Sequence, residues 1–238
     1  MPDGKLIESL DHQFKGKGQV KTVFDCFQHG LEVSSMFFSF MFIVMKFYVF
    51  FLSTGHSPCI GRIVDNFSRY EWTSYNDIEK QCKPLGQLVR SRVGDKQKCV
   101  GIYAANSVEW VISQLSCIVQ NLVTVPLYDT LGTESIKYSI NEVEMSLMFC
   151  DNEDKVKSLL DQKEAFPFLK VFILTHDNLK DKDLAKKCKA KGTEFFTWSQ
   201  ALKEGEKYPQ YKYDAPKPDD LFLIQYTSGT TGLLNIIL

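Results

Sequence analysis

No two of the seven cysteines are close enough to form a C-x-x-C pair; they stand singly at 26, 59, 82, 99, 117, 150 and 188. The start of the chain, "MPDGKLIESLDHQFKGKG", is polar and offers no secretory signal. Together these absences exclude a disulfide framework and point to reduced, buried thiols in a cytosolic setting. Histidine is scarce as well: the four residues at 12, 29, 56 and 176 show no metal-ligand spacing, so no metal is assigned to protein side chains. Charge of one sign is also missing. With 28 Lys and Arg against 29 Asp and Glu, there is no long-range field to gather nucleic acid, and any partner must be recognised locally. The one sequon, Asn66-Phe67-Ser68, would matter only in a lumenal location and is read as unmodified.

What is there is an alternation. The 238 residues, 44% hydrophobic, suffice for a substantial core and one or two domains. "CVGIYA" (99–104) is a continuous apolar run, as a strand buried on both faces should be. Asn106 then offers an N-cap, with Glu109 as its capping-box partner, and Val108, Val111, Ile112, Leu115, Ile118 and Val119 mark a helix. "LVTVPLY" reads as a strand, "TESIKYSINEVE" as a helix, "SLMFCD" as a strand, "EDKVKSLLDQ" as a helix and "KVFILT" as a strand. Strands and helices in strict turn specify an α/β chain with a mainly parallel sheet.

Either side of that unit the signals are more local. The mixed charges of 176–192, set beside Leu179, Leu184 and Cys188, read as the solvated side of a surface helix. "TEFFTW" reads as a further short strand, and "KYPQYKYDAPKPDD" as a loop without helical period. Upstream, "PCIGRI" and "YEWTSY" flank the turn-like Val64-Asp65-Asn66. The following stretch carries Ile78, Cys82, Leu85, Leu88 and Val89 at helical spacing, with Pro84 expected to kink or split the helix.

Near its end the chain reads "LFLIQYTSGTTG": a β-run, Leu221 to Tyr226, empties into Thr227, Ser228, Gly229, Thr230, Thr231 and Gly232. Glycine lets the backbone turn and approach an anion closely, while successive N–H groups and four hydroxyls can donate to phosphate oxygens. These six residues are the candidate nucleotide-phosphate site. No Lys-Ser or Lys-Thr follows Gly232, so this is not the G-x-x-x-x-G-K-[ST] loop of the common NTPases.

"YTSGTTG" resembles the signature loop of the adenylate-forming, AMP-binding superfamily. "VGIYAANSVEWVISQLSC", "VPLYDTLGTESIKYSINEVE", "VFDCFQHGLEVS" and "SPCIGR" resemble its long-chain acyl-CoA synthetase branch, over most of residues 20–232. The resemblance implies the N-terminal part of an adenylate-forming large domain, a mainly parallel sheet with helices on both faces. It implies a ligase that activates a long-chain fatty acid with ATP and Mg²⁺ to an acyl-adenylate and then passes the acyl group to CoA. Thr227 to Gly232 would bind the β- and γ-phosphates. Two departures accompany it: Asn235 stands where the family's loop carries a lysine, and the family's adenine pocket, Mg²⁺ acid and catalytic lysine follow the loop. No catalytic residue is therefore expected within these 238 residues, and the expectation is an incomplete enzyme that is inactive alone. The alternatives are an inert membrane-associated fragment and part of another acyl- or aryl-acid adenylating enzyme.

The domain reading is an N-terminal arm at 1–34, a hydrophobic insertion at 35–53, and the large-domain portion at 54–238. The insertion holds seven phenylalanines between Met36 and Leu52, and Lys46 near its middle would cost about 2.5–3.5 kcal/mol in a bilayer. It reads as a translated intron, a membrane anchor or a buried core helix, and joining Ser34 to Thr54 restores the family pattern. With the family's substrates, the expected location is the cytosolic face of an intracellular membrane, the endoplasmic reticulum foremost.

Overall fold

The computed structural model describes residues 22–25, 28, 58–64, 69–96, 98–227 and 235–237. The hydrophobic segment 35–53 and most of the arm lie outside the described residues.

The described part opens with an antiparallel pair, β1 (Pro58–Val64) and β2 (Arg69–Ser74), in register from Ile60 opposite Thr73 to Val64 opposite Arg69. Helix α1 (Tyr75–Val93) follows directly, because the Ser74 side chain caps it by accepting from the Asp77 amide at 3.2 Å. Gly94, at φ 89°, ends it. Pro84 lies inside one continuous helix, so of the two outcomes expected from sequence the split does not occur. Its missing N–H and ring clash cost about 3 kcal/mol. Against that, Ile78 and Cys82 before it and Leu85, Leu88 and Val89 after it are all fully buried on one stripe. At roughly 1.5–3 kcal/mol for each large aliphatic side chain, the packing on both sides outweighs that cost.

The centre is a five-stranded sheet in the order β4-β3-β5-β6-β7. It is built from β3 (Cys99–Tyr103), β4 (Val123–Pro126), β5 (Leu147–Cys150), β6 (Val171–Leu174) and β7 (Glu194–Phe196), every pairing parallel. Side chains alternate between two cores. Val100, Ile102, Leu147, Phe149, Val171 and Ile173 face α1, α2 (Val108–Ile118) and α6 (Trp198–Gly205). Val123, Val125, Met148, Cys150 and Phe172 face α3 (Thr133–Glu142), α4 (Glu153–Asp161) and α5 (Leu184–Ala190). The sheet is thus covered on both faces, which is why its strands carry uninterrupted apolar runs.

Two local readings need correction. The cap of α2 is Ser107, not Asn106: its hydroxyl accepts from the Trp110 amide at 3.0 Å, and Glu109 instead takes Arg62 of β1 at 2.7 Å. "TEFFTW" is strand only to Phe196, since Thr197 and Gln200 form a capping box that starts α6. That T-x-x-Q signal was present in the sequence. Helix α5 is as read, with Leu184 and Cys188 buried and its lysines exposed.

Candidate functional site

The phosphate-loop segment enters along the open edge of the sheet. Leu221 to Ile224 runs beside β4, with the Thr124 amide donating to the Phe222 carbonyl and the Ile224 amide to the Thr124 carbonyl, both at 2.9 Å. The bridge between Thr124 and Leu223 is parallel, so the chain leaves in the direction of the other strands. β8 (Gln225–Thr227) therefore continues past the carboxyl end of β4, where the Gln225 side-chain Nε2 donates to the Tyr128 hydroxyl at 3.4 Å. β9 (Asn235–Ile237) returns antiparallel, with Asn235 opposite Thr227. Thr227 thus stands at the carboxyl edge of the sheet, where open α/β sheets bind their ligands. Ser228, Gly229, Thr230, Thr231 and Gly232 lie outside the described residues.

Tyr226, one residue before the loop, is 1% exposed and packs into the core that holds Val123, Val125, Ile136 and Ile140. Its hydroxyl donates to Glu142 Oε2 at 2.8 Å, and the Tyr138 hydroxyl donates to Glu142 Oε1 at 2.7 Å. The two rings meet edge to face, 6.4 Å apart at 87°. Burial, and then the Glu142 carboxylate, pushes the Tyr226 phenol well above its ordinary range. Hydrogen bonding to Glu142 raises that of Tyr138.

A second cluster lies where the chain order reverses, between the carboxyl ends of β3 and β5. The Asp151 carboxylate accepts from the Ala105 amide at 2.7 Å, stitching the two strand ends together. Lys155 reaches both Asp151 and Asp129 at 3.0 Å and lies 4.2 Å over the Tyr103 ring. Burial, with Asp129 adding to it, pushes the Tyr103 phenol up to about 12. A cleft of about 190 Å³ opens beside it, with Ile136, Leu159 and Phe166 in its lining and Lys155, Ser158 and Gln162 among its polar groups.

Of the residues assigned from sequence, the structure thus locates Thr227, by its backbone. Sequence reasoning did not single out Glu142, Tyr138, Asp151 or Lys155, whose roles come from contacts between distant parts of the chain. These residues can orient and hold. Among the described residues no group of three or more His, Cys, Asp and Glu could hold a metal ion, and no helix is long and apolar enough to cross a membrane.

Known proteins share the sequence or the fold. Long-chain-fatty-acid–CoA ligase 5 of Rattus norvegicus is 35% identical over 219 residues, covering 89% of this chain but 28% of the relative's length. The A-PCP didomain of a carboxylic acid reductase from Segniliparus rugosus, in complex with AMP, has the same fold at a TM-score of 0.64 and 13% identity, over 96% of this chain and 33% of that one. The adenylation domain of a carboxylate reductase from Mycobacterium chelonae gives 0.62 at 12% identity, over 96% and 36%. Residues 55–234, from just before β1 to just before β9, match the AMP-binding enzymes, and the chain belongs to that family.

Proposed function

We propose that this chain supplies the ATP-phosphate end of a long-chain fatty acid–CoA ligase and does not complete the enzyme by itself. The observation that carries the reading is β8 delivering Thr227 to the carboxyl edge of the parallel sheet, directly ahead of a glycine- and hydroxyl-rich loop. Similarity to a long-chain ligase along 89% of the chain supports the acyl substrate over an aryl acid. In such a reaction the fatty carboxylate attacks the α-phosphate of ATP, pyrophosphate leaves, and the thiol of CoA then displaces AMP. The part of this chain is electrostatic: backbone N–H groups and hydroxyls of Thr227, Ser228, Gly229, Thr230, Thr231 and Gly232 would take up charge on the departing pyrophosphate. Mg²⁺ would arrive on the nucleotide, since no described carboxylate cluster gathers for it. Adenylation also needs the acid and the α-phosphate held in line, which can supply several kcal/mol of barrier reduction. Location at the cytosolic face of an intracellular membrane, the endoplasmic reticulum foremost, would follow from a long-chain fatty acid as substrate.

Titration calorimetry with Mg-ATP should give millimolar affinity, about −4 kcal/mol. Incubation with palmitate, ATP and CoA should give no palmitoyl-CoA. Micromolar affinity, or thioester above a no-enzyme control, would overturn the reading.

A further inference from the structure

We infer that Glu142 is a positioning residue for the phosphate loop, acting through the hydroxyl of Tyr226. The inference rests on the reading of Thr227–Gly232 as a phosphate site. The loop follows Tyr226 directly in the chain, so the strand that carries Tyr226 sets where the loop begins. That strand is weakly held. Segment 221–224 makes two main-chain hydrogen bonds to β4, and β8 then pairs only with β9 among the described residues.

Side chains supply the missing restraint. Tyr226 has its ring in the core and its hydroxyl on Glu142 Oε2, and Tyr138, one turn before Glu142 on α3, occupies Oε1. A carboxylate only accepts, so both phenols must donate to it, and the edge-to-face contact of the rings fixes their planes. Both phenols titrate above their ordinary range, so both stay protonated donors at physiological pH. Helix α3 is anchored independently by Ile136 and Ile140. Glu142 therefore ties the residue before the loop to a part of the fold that does not depend on the loop.

The test uses the full chain with Glu142→Ala, Tyr226→Phe and Glu142→Gln, read by hydrogen exchange and by titration with inorganic tripolyphosphate. A hydrogen bond to a charged acceptor is worth enough that its loss should speed exchange in peptides spanning 225–237 by about tenfold in the first two variants. Exchange in β5 and β6 should be unchanged. Glu142→Gln should restore near-native exchange, its amide oxygen accepting from one phenol while its NH₂ donates to the other. The first two variants should also lose tripolyphosphate affinity by a similar factor. The inference is overturned by unchanged exchange at 225–237, by equal acceleration in β5 and β6, or by faster exchange with undiminished tripolyphosphate binding. If exchange responds as expected but not even the parent chain binds tripolyphosphate, the Glu142 restraint stands and the phosphate assignment is what fails.

Discussion

Replacing Gly205 by alanine should destabilise the protein, although alanine is the better helix former by up to about 1 kcal/mol. Gly205 is the last residue of α6, buried where that helix crosses α1. A Cβ there would lie 1.8 Å from the Pro84 carbonyl oxygen and 2.6 Å from its carbon. Those are backbone atoms in a helix, so relief requires the two helices to separate by more than about 1 Å in a close-packed interior. Overpacking of this kind costs about 1–3 kcal/mol, and a clash with backbone belongs at the upper end. Against the propensity gain, the net loss is about 2 kcal/mol, or about 4–8 °C in Tm for a domain of this size. Trp198 reports on the same interface, since its indole N–H donates to Gln81 of α1 at 2.9 Å. Thermal and urea unfolding followed by tryptophan fluorescence would measure the shift. Gly86→Ala, 2.8 Å from the Ser116 carbonyl oxygen, should be milder. An unchanged or raised Tm for Gly205→Ala would refute the packing argument.

Two further outcomes are expected. Burial raises the Cys59 thiol from 9.0 to about 12 and Cys99 to about 11, and it also raises Cys82, Cys117, Cys150 and Cys188. Because unfolded thiols ionise first, stability should be full below about pH 9 and fall as pH climbs towards 12; denaturant midpoints across that window that stay level would contradict this. Removal of residues 35–53 should improve solubility and leave the unfolding transition of the remaining domain intact, as read by circular dichroism; loss of that transition would make the segment part of the core.

The alternation of strand and helix from Cys99 to Phe196 was legible in the sequence because each element carries its own periodicity. Continuous apolar runs such as Val171–Leu174 announce strands with both faces covered, and local spacing suffices to find them. The proposed phosphate loop is likewise a reading of a contiguous string of residue types. The split expected at Pro84 does not occur because a local rule about helix breaking met a stripe of buried side chains that only folding brings into place. Strand order, the route of residues 221–224 beside β4 and the meeting of Glu142 with Tyr226 were all invisible in the linear chain. They depend on contacts between residues as far apart as 98 positions, whose worth is set by what surrounds them. Composition and period determined which elements form. Long-range packing decided that residues 221–224 would run parallel to β4 along an open edge of the sheet, which carries Thr227 to the sheet's carboxyl end.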